Sequence, residues 1–184
     1  MHVLDACAAP GGKTAHMLEL ADVDLTALDL DSHRLARVAE NLERLGLKAK
    51  LLTADCAEVD TWWDGKAMFD RILADVPCSA SGVVRRHPDA KWLRRKSDVS
   101  KFARTQARIL DALWQVLAPG GKMLYSTCSV FEEENRLQVD AFVSRHADAK
   151  RLPTGSHPAS HTDYQLLPTD ERDGFYYALI QKDA

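Results

Sequence analysis

Two short segments carry the residues best suited to covalent chemistry: Asp75-Val76-Pro77-Cys78-Ser79 and Ser126-Thr127-Cys128-Ser129. Each cysteine closely follows a run that reads as a buried strand, residues 69–74 and 122–125. Thiols at the ends of two strands can work as a pair in one pocket. A thiolate attacks electron-poor carbon, and cysteine is the side chain that supplies one near neutral pH. A third segment, Asp5-Ala6-Cys7-Ala8-Ala9-Pro10-Gly11-Gly12-Lys13-Thr14, follows the first strand. Its glycine pair lets backbone approach a ligand closely.

The thiols fit one reaction well. Carbon-5 of cytosine is a poor nucleophile until a thiolate adds at carbon-6 and makes the ring an enamine; carbon-5 can then accept a methyl group. Cys128 is the candidate nucleophile. Ser129 and Glu132 have the spacing of a capping box for a helix over 130–146, whose positive end would stabilise a thiolate. Asp75 can hydrogen-bond the cytosine edge as charge develops. Cys78 is placed to help release the product. Taken singly, any cysteine can be a small buried apolar residue, a reading that suits Cys56 better than Cys78 or Cys128. No pair of the four cysteines has C-x-x-C spacing, so neither a zinc site nor a redox motif is favoured, and no metal is expected.

The cofactor reading proceeds by elimination. Gly12-Lys13-Thr14 imitates the end of a phosphate-binding loop, but Cys7 stands where that motif needs its first glycine. The dinucleotide pattern G-x-G-x-x-G is also absent. A nucleoside cofactor without a pyrophosphate remains, and S-adenosylmethionine fits. Asp29 ends the second strand at the distance suited to ribose hydroxyls. Asp55 can accept from the adenine amino group, and Asp5 can meet the cationic amino-acid end. Asp31 is read as a helix cap.

The elements that must position these residues alternate. Strands are expected at His2–Asp5, 25–30, 49–53, 69–74, 122–125 and 175–181. Helices are expected at 13–20, from Asp31 or Ser32 to Gly46, at 100–117 and at 130–146, with a loop over 153–173. This order means an α/β fold with a mostly parallel sheet in one domain spanning 1–184. The candidate segments all follow strands and so share the rim where open sheets bind ligands. Composition is that of an ordinary globular protein, 46% hydrophobic and 28% charged, without a membrane-length apolar run or a signal peptide, so a cytoplasmic location is expected. Within a net charge of −3, residues 85–96 carry six basic side chains against one acidic. That window reads either as a site for an anionic partner or as a solvated loop. Trp92 within it can stack on a base or pack beneath the loop.

On these residues the chain resembles the bacterial 16S ribosomal RNA (cytosine-C5)-methyltransferases of the RsmB/Sun/Fmu family. The likeness rests on Asp5 to Thr14, Asp29-Leu30-Asp31, both cysteine segments, Gly82-Val83-Val84-Arg85-Arg86-His87-Pro88-Asp89, Lys91-Trp92-Leu93-Arg94, Glu133-Glu134-Asn135 and Asp173-Gly174-Phe175. The resemblance implies a Rossmann-like class I S-adenosylmethionine-dependent methyltransferase fold, seven-stranded with one antiparallel strand, the last. It implies catalysis by Cys128, Cys78 and Asp75. It implies cofactor binding by Asp5, Cys7, Ala8, Ala9, Pro10, Gly11, Gly12, Lys13, Asp29, Asp55 and Asp75. The partner implied is 16S ribosomal RNA, held by Arg85, Arg86, Lys91, Arg94 and Arg95, and a monomer is the family expectation. Val76 stands where alanine is commoner. Family members carry a preceding segment and an N-terminal RNA-binding domain, so the chain reads as the catalytic-domain portion. Competing readings are a non-catalytic cofactor- or RNA-binding module, an exocyclic-amine methyltransferase, and a cytosine methyltransferase with Cys78 as nucleophile. The second normally has Asp/Asn-Pro-Pro-aromatic where this chain has Asp75-Val76-Pro77-Cys78.

Overall fold

The computed structural model describes residues 1–154 and 163–184. Five strands run in parallel: β1 (His2–Asp5), β2 (Asp24–Asp29), β3 (Lys50–Thr53), β4 (Phe69–Asp75) and β5 (Leu117–Thr127). Two short strands, β6 (Ala149–Leu152) and β7 (Asp163–Leu166), precede the last, β8 (Phe175–Lys182). The spatial order is β3-β2-β1-β4-β5-β8-β6. β8 runs antiparallel to β5 on one side and to β6 and β7 on the other, the latter two pairing with successive stretches of it. The sheet is therefore seven strands wide with one reversed, as the resemblance implies, and its eighth strand shares an edge position.

Helices cover both faces because successive strand residues point to opposite sides. Val3, Leu25 and Ala27 pack with α1 (Gly12–Leu20) and α2 (Ser32–Leu45). Leu4, Leu28, Ile72 and Met123 pack on the opposite face with α4 (Lys96–Val116) and α5 (Arg136–Arg145). A single-turn helix, α3 (Ala90–Leu93), lies in the basic loop. Asp31 caps α2, its carboxylate accepting from His33 N at 2.8 Å and Arg34 N at 3.3 Å. Gly46 ends the helix with φ 68°, a left-handed conformation that favours glycine. The two strands flanking β1, β2 and β4, leave it in opposite chain directions, which places the topological switch at the carboxyl end of β1.

Three expectations are corrected. The helix expected over 130–146 begins at Arg136, with Asn135 as its cap. Ser129 and Glu132 form no capping box: the Ser129 hydroxyl accepts from Phe131 N and donates to Glu134, and residues 131–137 close by turns such as Glu134 N to Phe131 O. Burial of Glu134 and Asn135 overrides the local helix signal. The helix expected at 100–117 starts four residues earlier, where the Asp98 carboxylate accepts from Arg95 N. Of the loop expected over 153–173, residues 163–166 form β7, and 155–162 lie outside the described residues. Among the described residues no helix is long and apolar enough to cross a membrane.

Candidate active site

The two cysteine segments meet. β4 and β5 are paired in register from Arg71 with Lys122 to Asp75 with Ser126, so the loops after them leave the sheet side by side. The Cys78 and Cys128 sulfurs stand 3.3 Å apart, within hydrogen-bond reach. Cys78 is buried, whereas Cys128 is partly open. The hydrogen bond from Cys78 draws the Cys128 pKa down, against the smaller effect of burial. The same contact, followed by burial, pushes Cys78 far up. The contact therefore favours a thiolate on Cys128 over one on Cys78. Because α5 starts eight residues beyond Cys128, a helix N-terminus does not supply this activation; the neighbouring thiol does.

The loops are bound together beneath the sulfurs. Gly82 N donates to Cys128 O and Gly174 N to Gly82 O, both at 2.8 Å. The hydroxyls of Ser79, Ser81 and Ser129 lie within 3.1–3.2 Å of one another. Asp75, the last residue of β4, accepts from the Ser126 hydroxyl and the Lys13 ammonium, each at 2.7 Å. It thus links the thiol pocket to the glycine turn after β1.

That turn fits a nucleoside cofactor with a cationic end. Asp5 is buried; one carboxyl oxygen accepts from Thr14 Oγ1 at 2.6 Å, and the other has no partner. Burial, the dominant cause, pushes its pKa up to about 6. A buried acceptor without a donor is costly and calls for a ligand donor. A side chain at Gly12 would meet nothing within 4 Å, so the turn is open there. Asp29 is buried and accepts from Ala9 N at 3.0 Å and Asp31 N at 3.1 Å, with the Arg34 guanidinium 3.7 Å from its carboxylate. Asp55 accepts from Ala57 N at 2.9 Å and Arg108 Nη2 at 2.7 Å. Cys7 lies 4.0 Å from Cys56, sulfur to sulfur. The hydrogen bond with Cys56 and burial push the Cys7 thiol up, which leaves it protonated and suited to packing.

Residues 1–181 match the family model described as 16S rRNA methyltransferase RsmB/F. The chain belongs to this family. Ribosomal RNA small subunit methyltransferase B of Shewanella oneidensis is 53% identical over 184 residues, covering 98% of this chain and 42% of that protein. Its Vibrio cholerae counterpart is 53% identical, covering 98% of this chain and 41% of that protein. The chain thus spans less than half the length of these relatives. Among solved structures, NSun6 from Pyrococcus horikoshii with SFG has a TM-score of 0.87 at 30% identity, covering 99% of this chain and 48% of that one. A methyltransferase homolog protein from the same organism has a TM-score of 0.83 at 31% identity, covering 98% and 61%. The likeness to methyltransferase structures agrees with the Rossmann-like fold expected from the sequence.

In this RsmB/F-family domain the basic loop is more internally tied than its charge alone implies. Arg86 Nε pairs with Asp173 at 2.6 Å, and Arg85 reaches the same carboxylate at 3.8 Å. Arg94 donates to Ser79 O at 2.8 Å and lies over the Phe102 ring. These three arginines help to shape the thiol loops. Lys91 and Arg95 line an open groove of about 1180 Å³, with Lys96, Arg104, Val99 and Phe131. Trp92 is 82% exposed with the Lys91 ammonium over its ring, so it does not pack beneath the loop.

Sequence reading gave no role to Glu134, Asn135, Gln106, Gly82 or Gly174. Their signal was the polar run Glu133-Glu134-Asn135 and the isolated Asp173-Gly174, whose long-range partners are invisible locally. Asp29 and Asp31 can be separated by mutation. Asp31→Ala is expected to cost about 1 kcal/mol through the lost cap and to leave cofactor affinity intact. Asp29→Ala should abolish measurable affinity. Calorimetric titration with S-adenosylmethionine and thermal melts of both variants check this.

Proposed function

We propose that this domain transfers a methyl group from S-adenosylmethionine to carbon-5 of a cytosine in small-subunit ribosomal RNA, through a covalent adduct on Cys128. The observation that carries the reading is the 3.3 Å contact between Cys78 and Cys128, at a rim shared with Asp75 and the glycine turn. When bound, S-adenosylmethionine supplies an electrophilic methyl group. Asp5 offers its unpartnered oxygen to the cofactor's ammonium, Asp29 takes the ribose hydroxyls, and residues Cys7 to Lys13 surround the rest.

Cys128 adds as thiolate to carbon-6. Asp75, held by Lys13 and Ser126, fixes the base edge by accepting from its amino group, and the Lys13 ammonium beside it offsets the negative charge that the adding thiolate brings to the ring. Once carbon-5 carries the methyl group, a water molecule takes its proton, the electron pair of that C–H bond re-forms the C5–C6 double bond, the C6–S bond breaks, and Cys128 returns as thiolate. Cys78 assists that elimination. The greater exposure of Cys128 favours this assignment over the buried Cys78 as nucleophile. The lysine-lined groove and exposed Trp92 suit single-stranded RNA, which offers phosphates to Lys91 and Arg95 and bases to aromatic faces. The target base must be unpaired or extruded to reach the sulfurs.

The direct test is methyl transfer from labelled S-adenosylmethionine to small-subunit ribosomal RNA, with the product nucleoside identified by mass spectrometry. 5-Methylcytosine is expected; an N-methylated base would overturn the reading. Asp5 adds a pH dependence. Its carboxyl must lose a proton to meet the ammonium, so cofactor affinity should rise with pH up to about 6 and level off above it. Below that point affinity should fall by up to about tenfold per pH unit. Asp5→Asn should bind weakly with a flat profile. In the ligand-free protein the sign is opposite. The folded state holds the Asp5 proton more tightly than the unfolded chain does, so Asp5's contribution to stability falls as pH rises toward and through about 6.

A further inference from the structure

Glu134 is fully buried, yet it forms no ion pair among the described residues. One carboxylate oxygen accepts from Ser79 N at 2.7 Å and from Gln106 Nε2 at 3.3 Å. The other accepts from Ser129 Oγ at 2.5 Å. Its backbone carbonyl accepts from the Tyr125 hydroxyl, also at 2.5 Å. Ser79 is the residue after Cys78, and Ser129 is the residue after Cys128. A single carboxylate thus grips the two thiol loops at equivalent positions. Gln106 extends the clamp, donating to Pro77 O at 2.9 Å as well.

A carboxylate buried without a cation is expensive, and hydrogen-bond donors to both oxygens offset part of that cost. We propose that Glu134 is a positioning residue for the thiol pair: it holds the two loops in contact, and its charge keeps the shared proton on Cys78, so that Cys128 stands ready as the nucleophilic thiolate. The contact between the sulfurs and burial account for most of the asymmetry, and the nearby charges adjust it. Glu134 acts on Cys78 and disfavours a second negative charge there. At Cys128 the hydrogen bond from Cys78 favours the thiolate, burial and Asp75 oppose it, and Lys13 adds a smaller favourable pull. The phenols of Tyr125 and Tyr177 are held above their usual range, chiefly by burial, and remain neutral beside the sulfurs. Asn135, the next residue, reinforces the Cys128 loop by accepting from Thr127 Oγ1 at 2.6 Å and donating to Ser129 O at 2.8 Å.

This inference rests on the proposed roles of the two cysteines, but its test needs neither RNA nor methyl transfer. Purified protein and Glu134→Gln are alkylated with iodoacetamide across a pH series, and each cysteine is quantified by mass spectrometry. In the unsubstituted protein Cys128 should react faster than Cys78 and with a lower pH midpoint. Glutamine keeps the shape and removes the charge. In this variant the Cys128-to-Cys78 rate ratio should fall at least tenfold and the Cys128 midpoint should rise, with the thermal melt still cooperative. A purely structural role would lower activity and leave both the ratio and the midpoint in place; that result in a folded Glu134→Gln overturns the proposal. Should the variant not fold, the unsubstituted protein decides: faster alkylation of Cys78 than of Cys128 overturns it equally. Failure of Cys128 to form an RNA adduct would be a separate result, against the proposed function itself.

Discussion

Replacing Cys128 with alanine should abolish methyl transfer and any covalent adduct with RNA containing 5-fluorocytosine. Fluorine at carbon-5 cannot leave as a proton does, so after methyl transfer the C6–S bond persists and the protein remains attached to RNA. The loss of turnover should be on the order of 10⁶-fold, the scale seen when a catalytic nucleophile is removed. Cys78→Ser should behave oppositely. Attack at carbon-6 survives and elimination slows, so adduct should accumulate on ordinary cytosine RNA and appear as a band of reduced mobility on a denaturing gel. The 3.3 Å contact makes the pair of variants informative, because both sulfurs reach the same base. Adduct that persists in Cys128→Ser and disappears in Cys78→Ser would exchange the two roles.

Gly82→Ala should be nearly as damaging without touching a sulfur. A Cβ at Gly82 would lie 2.3 Å from Gly174 O, 2.8 Å from Gly174 C and 2.9 Å from Cys128 O. All three are backbone atoms, so no side chain can swing aside. Overpacking of this kind costs about 1–3 kcal/mol, which for a domain of this size lowers the melting temperature by roughly 2–12 °C. Activity should fall further than stability, because relief of the clash moves the Cys128 loop, and a displacement of about 1 Å can cost 10²-fold. Differential scanning calorimetry and single-turnover methylation measure the two effects. A variant with unchanged melting and turnover would mean that the Gly82–Gly174 contact does not fix the thiol loop.

β1 to β5 and β8 were legible in the sequence because they carry apolar runs broken by clear punctuation, whereas β6 and β7 were missed: each is four residues long with polar side chains, and each is defined by its pairing with β8. The reversed final strand was legible only through family resemblance. Asp31 and Gly46 gave both ends of α2 correctly, since caps are local devices. The Ser129 region misled for the same reason. Ser129 and Glu132 have capping-box spacing, but the polar residue that matters is Glu134, whose partners Ser79 and Gln106 come from other segments. The basic window showed its charge but not its internal partners: Asp173, which takes Arg85 and Arg86, lies near the far end of the chain. That Cys78 and Cys128 follow neighbouring strands was legible, whereas their 3.3 Å contact depends on the β4–β5 register, which periodicity does not reveal.

β8 follows β6 in sequence but lies inside it in the sheet. β8 lies between β5 and β6, and Gly174, just before it, donates to the Gly82 carbonyl while Gly82 N donates to the Cys128 carbonyl. A nascent chain that has already emerged through Cys128 therefore contains both thiols but lacks the wedge that sets them. Until residues 174–182 thread into the gap, β5 presents an unpaired edge open to stray strands. Setting of the thiol loops thus depends on contacts distant in sequence, which places their assembly among slower-folding arrangements.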